Sequence, residues 1–213
     1  MISKTWKIFN DFETPEGKIC IGLSGGLDSR VLAGIISKRR PIDLGFCYYT
    51  EKTKYNVPVV KELVSNLRFK EFEYINIVSH EKTNVPRAVE KLSRLHNLKD
   101  YTILIANHMD VITGLRYTKR LDREYYYKDM LPVQSGMTYT DYFKDYRTPF
   151  WNPRLVGYMQ SLPRSQRFFQ RAYREMIKKY LPDLWESPRC FETGPPVPLN
   201  WYVINRIYSR IFK

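Results

Sequence analysis

Four short apolar runs alternate with three amphipathic stretches over the first half of the chain, and this alternation restricts the fold more than any other feature. Residues 18–23, 42–49, 71–78 and 101–106 have the length and composition of buried strands. Between them, 28–38 puts Val31, Leu32, Ile35 and Ile36 on one side of a helix, and 57–67 does the same with Val60, Leu63, Val64 and Leu67. The stretches 57–67 and 86–96 both carry a proline in the first turn, Pro58 and Pro86, where a missing N–H costs nothing. Strand, helix and strand repeated in this way predict an α/β fold, a parallel sheet with flanking helices. Such sheets bind ligands outside the carboxyl ends of their strands.

The second half is organised differently. Residues 117–146 are rich in Tyr, Lys and Asp without a period and read as an irregular excursion. Residues 163–181 predict one helix, with Phe168, Phe169, Ala172, Tyr173, Met176, Ile177 and Tyr180 on its apolar side. Residues 187–198 hold four prolines and a glycine and read as a loop, and 199–213 as an amphipathic tail. The 213 residues suit a single domain, with a core at 17–114, the excursion at 115–146 and a basic helical part at 147–213.

With 43% hydrophobic and 27% charged residues, intrinsic disorder is excluded as the main state. Cys20, Cys47 and Cys190 form no CxxC pair and no disulfide framework, so a reducing, cytoplasmic setting is expected. No apolar run is long enough to span a membrane, and the first ten residues lack a signal pattern. The three histidines, His80, His96 and His108, have no metal-ligand spacing.

The chemistry concentrates in Ser24-Gly25-Gly26-Leu27-Asp28-Ser29, which ends the first strand and opens the first of these helices. Two glycines let a backbone approach a phosphate without a Cβ in the way. Ser24 and Ser29 offer hydroxyl donors, and the start of the helix offers free N–H groups and a positive dipole end. A carboxylate at Asp28 repels bare phosphate but fits a Mg²⁺ ion held between carboxylate and phosphate oxygens. The bland alternative is a tight turn with Asp28 placed for the helix dipole. No lysine follows in the GxxxxGK[ST] spacing.

This loop resembles that of the ATP pyrophosphatase (PP-loop) family, and the form SGGLDS looks most like its asparagine-synthetase branch. Three further stretches are similar to that branch: Leu104–Asp110 followed by Gly114, Arg147-Thr-Pro-Phe-Trp-Asn-Pro-Arg-Leu-Val, and Tyr180-Leu-Pro followed by Pro188–Gly194. The resemblance implies a HUP-type fold (adenine nucleotide alpha hydrolase-like). It implies an enzyme that cleaves ATP between the α- and β-phosphates and uses the AMP to activate a carboxylate acceptor for attack by an amine or ammonia.

Carried over residue by residue, Ser24, Gly25, Gly26, Asp28 and Ser29 hold pyrophosphate and Mg²⁺. Leu23, and the backbone near Tyr48, border adenine. Ile105 and Ala106 flank the α-phosphate and ribose. Asp110 matches a second acidic Mg²⁺–pyrophosphate residue, and Arg189 stands one position from a pyrophosphate-binding lysine.

The sequence also departs from that branch. The second-loop glutamate falls at Asn107, which cannot take a proton, and the glutamate of the DE pair falls at Val111. Two further aspartates fall at Asn56 and Asn152, and with only 17 residues before the first strand no amino-terminal glutaminase domain is expected. The implied acceptor is therefore other than ordinary aspartate, with ammonia drawn from a separate glutaminase subunit or replaced by a substrate amine.

Net charge is +13, and residues 147–213 hold 12 Lys and Arg against four Asp and Glu. Arg164, Arg167, Arg171, Arg174 and Lys178 share one face if 163–181 is a single helix. That stripe keeps open a tRNA-modifying relative that binds RNA, although a solvated face beside the nucleotide is preferred. A degenerate nucleotide-binding or scaffolding subunit is the third reading. The tail from Trp201 is expected to dock on the sheet or to pair two subunits.

Overall fold

The computed structural model describes residues 1–77, 84–106, 139–167 and 170–187. Its strands are β1 (Lys18–Gly22), β2 (Ile42–Tyr49), β3 (Phe69–Asn76), β4 (Tyr101–Leu104) and β5 (Asp145–Arg147). They form one sheet in the order β3-β2-β1-β4-β5, parallel throughout. β1 is therefore central, with β2 on one side and β4 on the other, and the crevice at its carboxyl end is the topological switch point.

Helix α2 (Leu27–Arg39) links β1 to β2, and α3 (Val57–Ser65) links β2 to β3. Both line one sheet face, where Ile19, Ile21 and Leu104 join Val31, Leu32, Ile35, Val60 and Leu63 in one core. The connection containing α4 (Asn84–Leu95) returns across the sheet to β4, and its Ala88, Val89 and Leu92 pack on Cys20, Leu44, Phe46 and Ile103 in a second core. Alternate side chains of β1 thus feed opposite cores, as the pleat requires.

The sequence reading of α2 as one-sided is incomplete. Every residue from Arg30 to Ser37 is buried, because the side of α2 away from the sheet is covered as well. The cover comes from α8 (Pro182–Glu186), at the end of a carboxyl-terminal group that also includes α5 (Pro153–Ser161), α6 (Arg164–Arg167) and α7 (Arg171–Tyr180). Helix α1 (Ile2–Phe9) joins this layer, stacking Trp6 on Tyr180 at 4.7 Å and packing Phe9 on Tyr173 at 5.1 Å and on Phe150 at 5.3 Å.

Three expectations need correction. The third strand runs Phe69–Asn76, not 71–78, because pairing with β2 starts at Ile42↔Phe69. Part of the stretch read as irregular excursion is β5, a polar tripeptide held by backbone pairing to β4. The helix expected over 163–181 is two helices, broken where Gln170 takes a left-handed conformation at φ 59°. Arg164 and Arg167 therefore belong to a different helix from Arg171, Arg174 and Lys178, and the single five-cation face does not exist. Phe168 and Phe169, most of the excursion, the loop after Ser187 and the tail lie outside the described residues. Among the described residues no helix is long and apolar enough to cross a membrane.

Candidate functional site

The β1–β2 ladder continues one residue past Gly22, where the Leu23 N–H donates to the Phe46 carbonyl at 2.8 Å. The Leu23 side chain enters the core and is 2% exposed. The chain then turns sharply and closes on itself through two hydroxyls. Ser24 Oγ and Ser29 Oγ lie 3.0 Å apart. The Ser24 N–H donates to Ser29 Oγ at 3.0 Å, and the Gly26 N–H donates to Ser24 Oγ at 3.2 Å. Gly26 caps α2 in an extended conformation, so the helix begins at Leu27 with its first amides at the loop.

Neither loop glycine has a positive φ. At Gly26 the reason for glycine is space, since a Cβ there would stand 3.1 Å from Ser24 Oγ. Ser24 is exposed while Asp28 and Ser29 are half-buried, so the polar groups of the loop face outward from an apolar base. Asp28 sits in the first turn of α2, at the positive end of the helix dipole. This cradle fits a phosphate–Mg²⁺ pair: it has hydroxyls and amides for phosphate oxygens and one carboxylate for the cation. Among the described residues no group of three or more His, Cys, Asp or Glu could hold a metal unaided. A cation at Asp28 would complete its coordination with phosphate oxygens and water.

Arg30, the residue after Ser29, is tied to the loop in a way that the motif does not announce. Its side chain is wholly buried. Nη2 donates to the Gly25 carbonyl at 3.0 Å, and Nη1 donates to the carbonyls of Leu184 at 2.7 Å and Ser187 at 2.8 Å. Ser187 is also fixed to α3, its hydroxyl donating to Glu62 Oε1 at 2.8 Å. A sequence signal did exist, because Arg30 is the only charged residue between Asp28 and Lys38 in a helix that is otherwise apolar or small.

The other candidate residues stand at the carboxyl ends of the adjacent strands. Tyr48 lies near the end of β2 and is 38% exposed. Near it the buried Tyr139 phenol is pushed up to about 12 by burial, with Tyr48 and Cys20 acting in the same direction. Ile105 and Ala106 follow β4, where the Ile105 N–H donates to the Arg147 carbonyl at 2.9 Å. Leu23 to Ser29, Tyr48, and Ile105 with Ala106 thus border one sheet edge across β2, β1 and β4. Asp110, Asn107, His108, Val111 and Arg189 lie outside the described residues. Burial pushes the Cys20 thiol far up, which disfavours its thiolate, and Cys47 is also buried.

Asn152 has a structural task. Its Oδ1 accepts from the Leu155 N–H at 2.8 Å and caps α5, while Nδ2 donates to the Pro149 carbonyl at 2.9 Å. An aspartate would make the first bond but not the second. Nearby, a cavity of about 630 Å³ is lined by residues that include Asp11, Phe12, Arg147 and Trp151, and by none of the loop. Among its charged groups Asp11 pairs with Arg154 and Arg147 with Asp145, and its lining lies apart from the Leu23–Ser29 loop.

No protein-family model matches this chain, and no curated protein matches it. Among solved structures, NMN synthetase from Francisella tularensis aligns with 86% of this chain and 89% of that one, at 14% identity and a TM-score of 0.41.

Proposed function

We propose that this chain binds ATP with Mg²⁺ at the Leu23–Ser29 loop and transfers AMP to a carboxylate acceptor, which an amine or ammonia then converts to an amide. The observation that carries this reading is the loop itself. A glycine turn tied by two hydroxyls stands at the carboxyl end of the central parallel strand and opens a helix.

In this reading Ser24, Gly25, Gly26 and Ser29 hold the β- and γ-phosphates, with Asp28 and Asp110 on the cation side. Leu23 and the backbone near Tyr48 border the adenine, and Ile105 and Ala106 flank the α-phosphate and ribose. An acceptor oxygen attacks the α-phosphorus, the bond to the β-phosphate oxygen breaks and pyrophosphate leaves. The nitrogen nucleophile then displaces AMP from the acyl carbon and loses a proton. Mg²⁺, when bound, neutralises charge that builds on the leaving pyrophosphate. Arg189 adds a cation for the same charge. The chain's own contribution is mostly positioning and fixed dipoles, which suits phosphoryl chemistry.

Two observations weigh against the other readings. The break at Gln170 removes the continuous cationic face on which an RNA-binding relative was argued. The double hydrogen bonding of Asn152 gives a structural reason for one departure from the asparagine-synthetase pattern.

Calorimetry of ATP binding with and without Mg²⁺ tests the proposal. Wild type is expected to bind with a Mg²⁺-dependent affinity, and Asp28→Ala is expected to bind without that dependence. A wild-type chain that binds no ATP in either condition would overturn the reading.

A further inference from the structure

Arg30 is a fully buried cation that joins two segments more than 150 residues apart, and its place behind the loop gives it a specific consequence. The peptide bond between Gly25 and Gly26 is trans, as are all described peptide bonds. In a planar trans peptide the carbonyl and the following N–H point in opposite directions. Arg30 Nη2 draws the Gly25 carbonyl inward at 3.0 Å, so the Gly26 N–H must point outward. There it donates to the hydroxyl of the exposed Ser24 at 3.2 Å, a long bond that a phosphate oxygen can replace. Reversing this peptide would turn a carbonyl oxygen toward the anion and leave a buried guanidinium short of an acceptor.

The same guanidinium holds the Leu184 and Ser187 carbonyls, left without intrahelical partners at the end of α8. Gly34 lies one turn beyond Arg30 on α2 and fixes how closely α8 approaches. A Cβ there would stand 2.6 Å from Leu184 Cδ1 and 3.1 Å from Leu181 Cδ2. Gly34→Ala therefore presses on the Leu181 and Leu184 side chains that seat α8, and touches neither Arg30 nor the loop.

We infer that Arg30 is a positioning residue that aims the Gly26 amide at the bound anion and makes that aim depend on the docking of α8. The inference rests on the nucleotide reading above and assigns to that site a control from the carboxyl-terminal helices. It also accounts for burying an arginine where an apolar residue would pack.

The test measures Mg²⁺–pyrophosphate and adenosine binding by calorimetry for wild type, Arg30→Gln, Arg30→Lys and Gly34→Ala. Melting curves and amide exchange accompany each protein. Arg30→Gln and Gly34→Ala are expected to lose about tenfold or more in pyrophosphate affinity, the scale of one charge-assisted hydrogen bond, with adenosine affinity unchanged. Arg30→Lys, which keeps the charge but cannot span both sides, is expected to fall between. Faster amide exchange is expected together at Gly26 and at 184–187. Folded Arg30→Gln and Gly34→Ala proteins that bind pyrophosphate within about twofold of wild type would overturn the inference. Equal loss of both ligands in step with melting temperature would also overturn it, by reducing Arg30 to a packing role. If wild type binds neither ligand, the nucleotide reading is what fails. Gly26 exchange in Gly34→Ala then still decides the link to α8, and an unchanged rate ends it.

Discussion

Ser24 and Ser29 share a hydrogen bond across the loop, and Gly26 leaves just enough room for it. Gly26→Ala is expected to push Ser24 Oγ aside and weaken Mg²⁺–pyrophosphate binding, while stability changes by less than about 1 kcal/mol because the loop faces solvent. Parallel calorimetry and urea titration check both parts. These residues are legible in the sequence because a phosphate loop is a local device, built from neighbours along the chain. Arg30 is not legible in the same way, since its acceptors at Leu184 and Ser187 are near only after folding. Asp43 makes the same point at the opposite edge of the sheet. Burial alone would raise its carboxyl, but the bonds from Lys70 and the Ile19 N–H, with the charges of Lys70 and Arg40, hold it below its ordinary value. The unfolded chain therefore binds the proton more readily, near the usual pKa of about 3.9. The contribution of Asp43 is complete above that value and is lost as pH falls through the folded one. Urea midpoints are expected to drop less on acidification in Asp43→Asn than in wild type.

At the scale of elements, legibility follows the reach of the forces involved. α3 and α4 bury apolar residues at a helical period, α2 and the first, second and fourth strands are near-continuous buried runs, and both patterns appear in the sequence. β5 carries Asp145, Tyr146 and Arg147 and is a strand only because β4 offers free backbone groups beside it. α1 is eight residues long, too short to hold by propensity, and depends on Tyr173 and Tyr180 far along the chain. The break at Gln170 is hidden because the apolar period stays in phase across it. Gly45 shows how tightly the sheet face is filled. A Cβ there would stand 2.4 Å from the ring of Phe72 and 2.5 Å from that of Phe69, rings already packed edge to face. Gly45→Ala is expected to cost about 1–3 kcal/mol, read as a lowered urea midpoint.

For the whole molecule, the sheet divides the interior into two cores that share β1 to β4 but draw on different helices. We propose that they nonetheless form one cooperative domain. Phe9 and Val89, each fully buried, lie in different cores and supply the test. Phe9→Ala is expected to cost about 3–5 kcal/mol and Val89→Ala somewhat less. In scanning calorimetry both are expected to shift one shared transition, and two separately shifted transitions would refute a single domain. The helix that follows the Ser24–Ser29 loop is encased from outside by residues beyond 180. During synthesis, β1 to β4 leave the ribosome well before that cover exists, and translation runs at about 5–20 residues per second. For several seconds the nascent chain shows a bare apolar flank of α2 and an arginine without its α8 acceptors. On the proposed reading, nucleotide competence arrives only after α8 has emerged, so a ribosome stalled before that point displays a hydrophobic surface for chaperones instead of a half-working site.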